Sequence, residues 1–432
     1  MRTKRKTNKD QIVFIATFFV LLSGQIGKTI GGEVFTYINY ILTAIMALVL
    51  PLEKLLLFEM AILPLNRLIS IGSITSPVCV MLIGIIRHLM NMKGKLRISR
   101  RFSITFLLLI LYGSLAVIWG ESQALPVMKM SAMLLFYIWE MQYVKQNGND
   151  VYMDCVSYVS LGCVLSTALA LLLDPSSLGK TVVRFTASVD GSQNVLGILN
   201  AVCCLHCYYI LTRCRDCSKV KLFLLTIGLL ISGFMTGSRS YLLVIGVGLL
   251  FFILYDIFSA KMTRIIKVSL SFLLLGFGVF IWFNRSQLVQ HIISSFVYRF
   301  NKYASRDISN GRYALWGEYF AAFRENPKYL WLGNMRYDEI GIHNVAHNMI
   351  IEQIATYGII GSIIIVALYA CAARDIKCFA GYEYHKRSFA ALIPTIAFLC
   401  ASMFSHTLLG VTQTAILFIG FIAIFKNESY MS

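Results

Sequence analysis

Runs of about 20 apolar residues recur along almost the whole of this chain, and that repetition restricts the fold more than any motif. A hydrocarbon core of roughly 30 Å takes about 20 helical residues to cross. Inside it, only a helix or a closed barrel satisfies its own backbone. The runs are continuous rather than alternating, which selects helices. Fourteen are predicted, near 11–28, 34–50, 55–71, 77–90, 103–120, 126–143, 151–173, 195–212, 222–236, 240–258, 268–283, 348–370, 389–405 and 411–426. Several are short, so the span count is about 14 with a range of 12–14. The expected fold class is all-α, a polytopic transmembrane helix bundle forming one integral membrane domain over residues 1–432. One large external loop, 284–346, is expected between the eleventh and twelfth spans, with short amphipathic helices in it. A hydrophobic share of 57% against 14% charged residues agrees. The first run is not read as a cleaved leader, because no small-residue cleavage site follows it and further spans do.

Lys and Arg in short loops set the orientation. "MRTKRKTNKD" holds five, "NMKGKLRISRR" five, "RCRDCSKVK" four, "SAKMTRIIK" three and "CAARDIKCFAGYEYHKRS" four, whereas the alternate loops hold Lys28, Lys180, Arg184 and Arg239. Both termini are therefore expected in the cytoplasm. The loop 284–346 carries eight Lys or Arg against five acids although it is external by this count. Loops longer than about 60 residues are translocated regardless of charge. The net charge of +18 is otherwise the ordinary cytoplasmic bias and gives no reason to expect nucleic-acid binding. Cys204, Cys207, Cys214 and Cys217 with His206 invite a zinc reading, but their spacing suits no common site. No metal is expected.

Polar residues gather at the outer surface in four places. In "VVRFTASVDGSQNVLG", Val182 to Gly197, Arg184 lies in an external loop and Asn194 precedes an apolar run, as an N-cap would. In "TGSRSYL", Thr236 to Leu242, Arg239 is the cation of a tight external turn, against the positive-inside bias; snorkelling to lipid phosphate is its bland reading. In "NGRYALWGEYFAAFRENPKYLWLGN", Asn310 to Asn334, an amphipathic helix is predicted with Ser309 and Asn310 as caps. Trp316, Phe320 and Phe323 are expected on its apolar face, Pro327 at its stop, and Arg312 in its first turn. In "AHNMIIEQIATYGIIG", Ala346 to Gly361, His347 and Asn348 open a helix whose positions 348, 352 and 356 share one stripe. Asn348, Glu352 and Thr356 are thus expected to face the bundle or a wet cavity.

Three arginines and one histidine on one membrane face describe a site for a diphosphate and a hydroxyl nucleophile. Arginine grips phosphate oxygens in a bidentate fork and stays charged. Histidine titrates near neutrality and can take a proton from an attacking hydroxyl. No D-x-D metal motif or P-loop occurs, so protein cations are expected to carry the leaving-group charge.

These residues resemble the O-antigen ligase and O-antigen polymerase (Wzy-type) superfamily of polytopic glycosyltransferases. The resemblance rests on "RFTASVDGSQNVLG", "TGSRS", "NGRYALW" with "ENP" and "LGN", and the H-x10-G spacing from His347 to Gly358, together spanning 184–361. "GSQN" stands where a proline-asparagine is common in the family. The resemblance implies a bacterial cytoplasmic-membrane glycosyltransferase that transfers a glycan from undecaprenyl diphosphate without cofactor or metal. It implies Arg184, Arg239 and Arg312 at the diphosphate and His347 at the acceptor hydroxyl. His347 and Arg312 are the expected catalytic pair, with Asn194, Asn348 and Glu352 supporting. Expected partners are undecaprenyl-diphosphate-linked oligosaccharides, membrane lipids and a chain-length regulator.

A repeat-unit polymerase is the favoured expectation, the number of spans exceeding that usual for ligases. A ligase acting on another acceptor is the rival within the same chemistry. A flippase or transporter of lipid-linked saccharides is the rival from a different class. Glu59 and Arg67 in the third span, expected on one face eight residues apart with Pro64 between, would favour it.

Overall fold

The computed structural model describes residues 2–30, 33–67, 70–71, 74–91, 98–119, 124–146, 151–175, 193–214, 217–258, 311–333, 342, 345–380, 389–404 and 410–424, with isolated residues at 290, 294 and 297. Arg184, Arg299, Arg306 and Arg336, the expected span at 268–283 and the proposed caps Ser309 and Asn310 lie outside them.

The described chain is helical. It comprises α1 (Arg2–Ile30), α2 (Glu33–Val49), α3 (Leu52–Ile62), α4 (Ser76–Asn91), α5 (Arg100–Trp119), α6 (Ala124–Gln146) and α7 (Val151–Leu173). There follow α8 (Gln193–Arg213), α9 (Lys219–Met235), α10 (Arg239–Phe258), α11 (Arg312–Glu325), α12 (Pro327–Leu332), α13 (Met349–Ala380), α14 (Ile393–Ser402) and α15 (Val411–Ile424). A two-residue antiparallel ladder, β1 (Ser70–Ile71) with β2 (Ile74–Thr75), turns the chain between α3 and α4.

Among the described residues five helical stretches are long and apolar enough to cross a membrane: Asp10–Ile30, Val151–Leu173, Asn194–Arg213, Arg239–Phe258 and Met349–Phe379. Glu33–Val49, Ser76–Asn91, Phe389–Ser402 and Val411–Ile424 are apolar but shorter. Large apolar side chains point outward in rows, such as Ile12, Ile15 and Phe19 on α1, Ile41, Ile45 and Leu48 on α2, and Ile360, Ile363 and Val366 on α13. Water would penalise such an exterior and lipid would not.

The expected span 55–71 is shorter than the sequence suggests. Its helix stops at Ile62 and tightens into a 3-10 turn, Leu63–Arg67, at Pro64, whose ring removes a backbone donor. The break interrupts, between Glu59 and Arg67, the continuous helix that a shared face required. Glu59 is wholly buried instead and accepts a hydrogen bond from the Tyr137 hydroxyl at 3.2 Å.

Polar pairs between helices fix their relative directions. Lys54 Nζ donates to Asp10 at 2.6 Å near the starts of α3 and α1, and Gln25 donates to Ser166 Oγ at 2.9 Å near the ends of α1 and α7. Arg213 and Asp256 meet at 2.6 Å near the ends of α8 and α10, and Tyr152 at the start of α7 meets His206 late in α8 at 2.9 Å. The Ser99 N–H just ahead of α5 donates to Asp375 late in α13 at 3.1 Å. These contacts make an up-and-down bundle with two distinct ends. The starts of α8 and α10 fall at one end, together with the ends of α7 and α9.

Candidate functional site

Four helix beginnings build the site at that end of the bundle. Gly237, at φ 58, turns the chain between α9 and α10 and leaves Arg239 as the first residue of α10. Thr236 Oγ1 donates to the Gly233 carbonyl at 2.6 Å and accepts from the Ser238 N–H at 3.3 Å, closing the turn. Ser238 Oγ in turn donates to Asn194 Oδ1 at 2.9 Å. Asn194 therefore does not act as the expected N-cap. It lies inside the first turn of α8, which begins at Gln193, and tethers the turn that carries Arg239. Gly197, one turn on, leaves room for the contact, since a Cβ there would stand 2.7 Å from Ser238 Cβ.

Arg312 is the first residue of α11. Gly311 precedes it in the left-handed region at φ 79 and makes no side-chain cap. The buried face of α11 is formed by Tyr319 and Phe323 with half-buried Trp316, whereas Phe320, expected on that face, is 55% exposed. Positions 316, 319 and 323 make the narrower stripe that meets Ile351 and Ala355 of α13. Pro327 ends α11 and also opens α12, for which Asn326 is the cap, its Oδ1 accepting from the Lys328 N–H at 3.3 Å.

His347 stands just ahead of α13 with a left-handed backbone, φ 50, unusual for a residue with a side chain. Two neighbours hold it there. Asn348 Oδ1 accepts from the N–H groups of Ile350 and Ile351 at 3.0 and 3.1 Å and so caps the helix. Glu352 Oε1 accepts from the His347 N–H at 2.8 Å. The Trp316 indole donates to the Ala346 carbonyl at 2.8 Å, fastening α11 to the residue before His347. Asn348 and Glu352 are both buried, as the shared stripe implied, but their side chains serve the start of the helix rather than lining a path into the bundle.

The charged groups influence one another. Burial and the nearby charge of Arg239 lower the Arg312 pKa, and burial and the charge of Arg312 lower that of His347. Arg239, Arg312 and His347 thus share one electrostatic neighbourhood, each at or just ahead of the start of a helix of fourteen residues or more. Helix beginnings present N–H groups and the positive end of the dipole. Two guanidiniums in such a place repel each other and favour an anion. Beside them is an imidazole held in its neutral form, which can accept a proton. Arg312 Nε is buried without a hydrogen-bond partner, a donor left for an incoming group. The cysteines of the zinc reading lie elsewhere: Cys204 and Cys207 are buried in α8, Cys214 and Cys217 follow its far end, and His206 bonds Tyr152.

Sequence reasoning missed Tyr112 of α5. Its hydroxyl lies 2.7 Å from the Leu332 carbonyl oxygen and 2.5 Å from that of Tyr357. It also missed the break in α13 at Gly358, φ 64 and ψ 177, whose backbone touches that of Gly333. The glycines of "LGN" and of the H-x10-G spacing were visible signals, but nothing local says that they meet.

Residues 223–366 match the family model described as O-antigen ligase, a third of the chain that takes in Arg239, Arg312 and His347. No curated protein and no solved structure matches the chain.

Proposed function

We propose, from the match of residues 223–366 to the family model described as O-antigen ligase, that the protein is a membrane glycosyltransferase that polymerises lipid-linked saccharide repeats. The observation that carries this reading is the shared electrostatics of Arg239, Arg312 and His347 at three helix beginnings. A hydroxyl of one lipid-linked repeat attacks the anomeric carbon of the donor glycan, forming the new glycosidic bond. The bond from that carbon to the diphosphate oxygen breaks, and undecaprenyl diphosphate leaves with the electron pair. The hydroxyl proton passes to His347, which the lowered pKa keeps neutral and receptive. Arg239 and Arg312, together with Arg184, neutralise the departing diphosphate. Asn194, Asn348 and Glu352 hold these groups in place. The site faces outward from a bacterial cytoplasmic membrane, with both termini inside.

Ligation of a finished glycan to a different acceptor is the second reading, favoured by the description of the matched family. The two differ in acceptor and share the same bond changes.

The test is the profile of lipid-linked saccharides in cells lacking the protein and in cells carrying His347→Ala or Arg239→Ala. Single repeats accumulating on the outer face support the polymerase. Long chains stranded on the carrier would replace it by the ligase. Repeats trapped on the inner face would mean a flippase and remove the site from the mechanism.

A further inference from the structure

We propose that Tyr112 of α5 is a positioning residue for His347, holding the helical segment that begins beside His347 in register with the one that begins at Arg312. The inference rests on the reading of the site given above, and it adds a residue outside the matched stretch 223–366.

Two separate pieces of backbone carry the site's imidazole and one of its guanidiniums. α13 is divided at Gly358, and its outer piece, Met349–Tyr357, has His347 at its head. α11 and α12 form the other piece, with Arg312 at its head and Leu332–Gly333 at its tail. Between them lies an apolar contact of Tyr319 and Phe323 with Ile351 and Ala355, which is non-directional and permits sliding. Directional bonds set the register. At the head it is the Trp316 indole on the Ala346 carbonyl. At the tail it is Tyr112, whose one phenolic proton is shared between the last carbonyl of α12 and the carbonyl just before the break in α13.

The packing around Tyr112 is built for this contact. The tyrosine is buried, and Gly361 lies against its ring, where a Cβ would stand 2.5 Å from Tyr112 Cε1. Gly333 and Gly358 allow the two backbones to close up, since a Cβ on Gly333 would be 2.4 Å from Gly358 N. A helix break turns carbonyls away from their own ladder, and a buried carbonyl requires a donor. Tyr112 supplies it from a third helix, so the break is anchored to the bundle rather than free to swing. The groups around His347 whose placement depends on this anchor are Arg312 on α11, Arg239 on α10 acting through Arg312, and the Glu352 carboxylate on α13.

The experiment compares Tyr112→Phe with the unaltered full-length protein in lipid nanodiscs, using lipid-linked saccharides extracted from cells that lack the protein. The expected result is a kcat lower by about tenfold, the equivalent of roughly 1.4 kcal/mol. KM should stay within about twofold, and the acidic limb of the pH–rate profile should move up toward the ordinary histidine value as Arg312 and His347 drift apart. Ser362→Ala removes a hydroxyl that bonds the Gly358 carbonyl at 2.6 Å without reaching α12, and it should leave the limb where it is. An unmoved limb in Tyr112→Phe, a limb that moves equally in Ser362→Ala, or a Tyr112→Phe protein that fails to accumulate in membranes would each overturn the proposal. An inactive His347→Ala beside an unaltered Tyr112→Phe would sink this inference alone, whereas an active His347→Ala would sink the function itself.

Discussion

The His347 N–H donates to Glu352 Oε1 at 2.8 Å, a contact that closes over five residues and holds a left-handed backbone at the residue carrying the imidazole. A residue with a side chain avoids that conformation unless its surroundings impose it, at a cost of order 1–3 kcal/mol. Glu352 and the Asn348 cap together impose it. The carboxylate therefore acts on the main chain of His347, fixing where its ring is carried.

Glu352→Gln and Glu352→Ala should consequently behave differently. The glutamine keeps a carbonyl oxygen at the same reach, so activity should stay within a few-fold of the original. The alanine removes the acceptor, and a lost cap of about 1 kcal/mol lets His347 relax out of the site, lowering activity roughly five- to tenfold. Turnover of lipid-linked saccharide by the two variants at equal membrane levels decides the matter. Equal loss in both would mean that the charge, and not the contact, is what counts.

The pH dependence follows from the direction of the His347 shift. Its pKa lies below the ordinary 6.5 because burial disfavours the charged ring and Arg312 adds repulsion. A lowered pKa means that the neutral ring persists as pH falls, so the rate should hold through pH 6.5, where an unperturbed histidine is half protonated. It should decline only at lower pH. NMR titration of labelled His347 checks this, and in Arg312→Gln the titration should move part of the way back up, burial accounting for the remainder. A titration at or above 6.5 in the unaltered protein would contradict the neighbourhood described for the site.

The sequence made the bundle legible because lipid leaves a spanning chain few solutions, and it drew attention to Arg239, Arg312 and His347 as polar groups beside apolar runs, which the structure places in one electrostatic neighbourhood. What it hid was long-range. Asn194 has the local look of a cap, yet its partner Ser238 is 44 residues away. Phe320 fits a three-and-four spacing as well as Tyr319 does, and only the neighbour α13 selects Tyr319. Tyr112 is an ordinary tyrosine in an apolar run until two carbonyls from elsewhere arrive at its hydroxyl. The break at Gly358 is likewise decided by Gly333, not by the glycine alone.

Three glycine substitutions should separate backbone strain from crowding. Gly311→Ala meets nothing within 4 Å and bears only the left-handed conformation, so its expected cost is about 1 kcal/mol with activity mostly retained. Gly358→Ala combines φ 64 with a Cβ 2.2 Å from the Trp331 carbonyl oxygen, and Gly333→Ala combines φ 74 with a Cβ 2.4 Å from Gly358 N. Both must push apart the pieces that bear Arg312 and His347, and both should abolish activity. Thermal unfolding in detergent with parallel activity measurements tests the ranking. A Gly358→Ala protein with normal turnover would mean that this close approach has no part in the site.

The repulsion between Arg239 and Arg312 predicts a stability effect as well as a catalytic one. Burial and the neighbouring charge both disfavour the Arg312 cation, so without an anion the pair strains the fold at this end of the bundle. Pyrophosphate, the simplest diphosphate, should relieve that strain and raise the unfolding temperature, since any ligand that binds only the folded state stabilises it, by about 2.7 kcal/mol at a hundred times its Kd. Arg239→Gln and Arg312→Gln should lose the response, and in the absence of anion Arg312→Gln should not unfold below the parent. Sodium chloride at matched ionic strength corrects for screening, which weakens the repulsion without any binding. If the salt stabilises the parent as much as pyrophosphate does, the two guanidiniums repel but do not bind a diphosphate, and the leaving group in the proposed reaction must find its countercharge elsewhere.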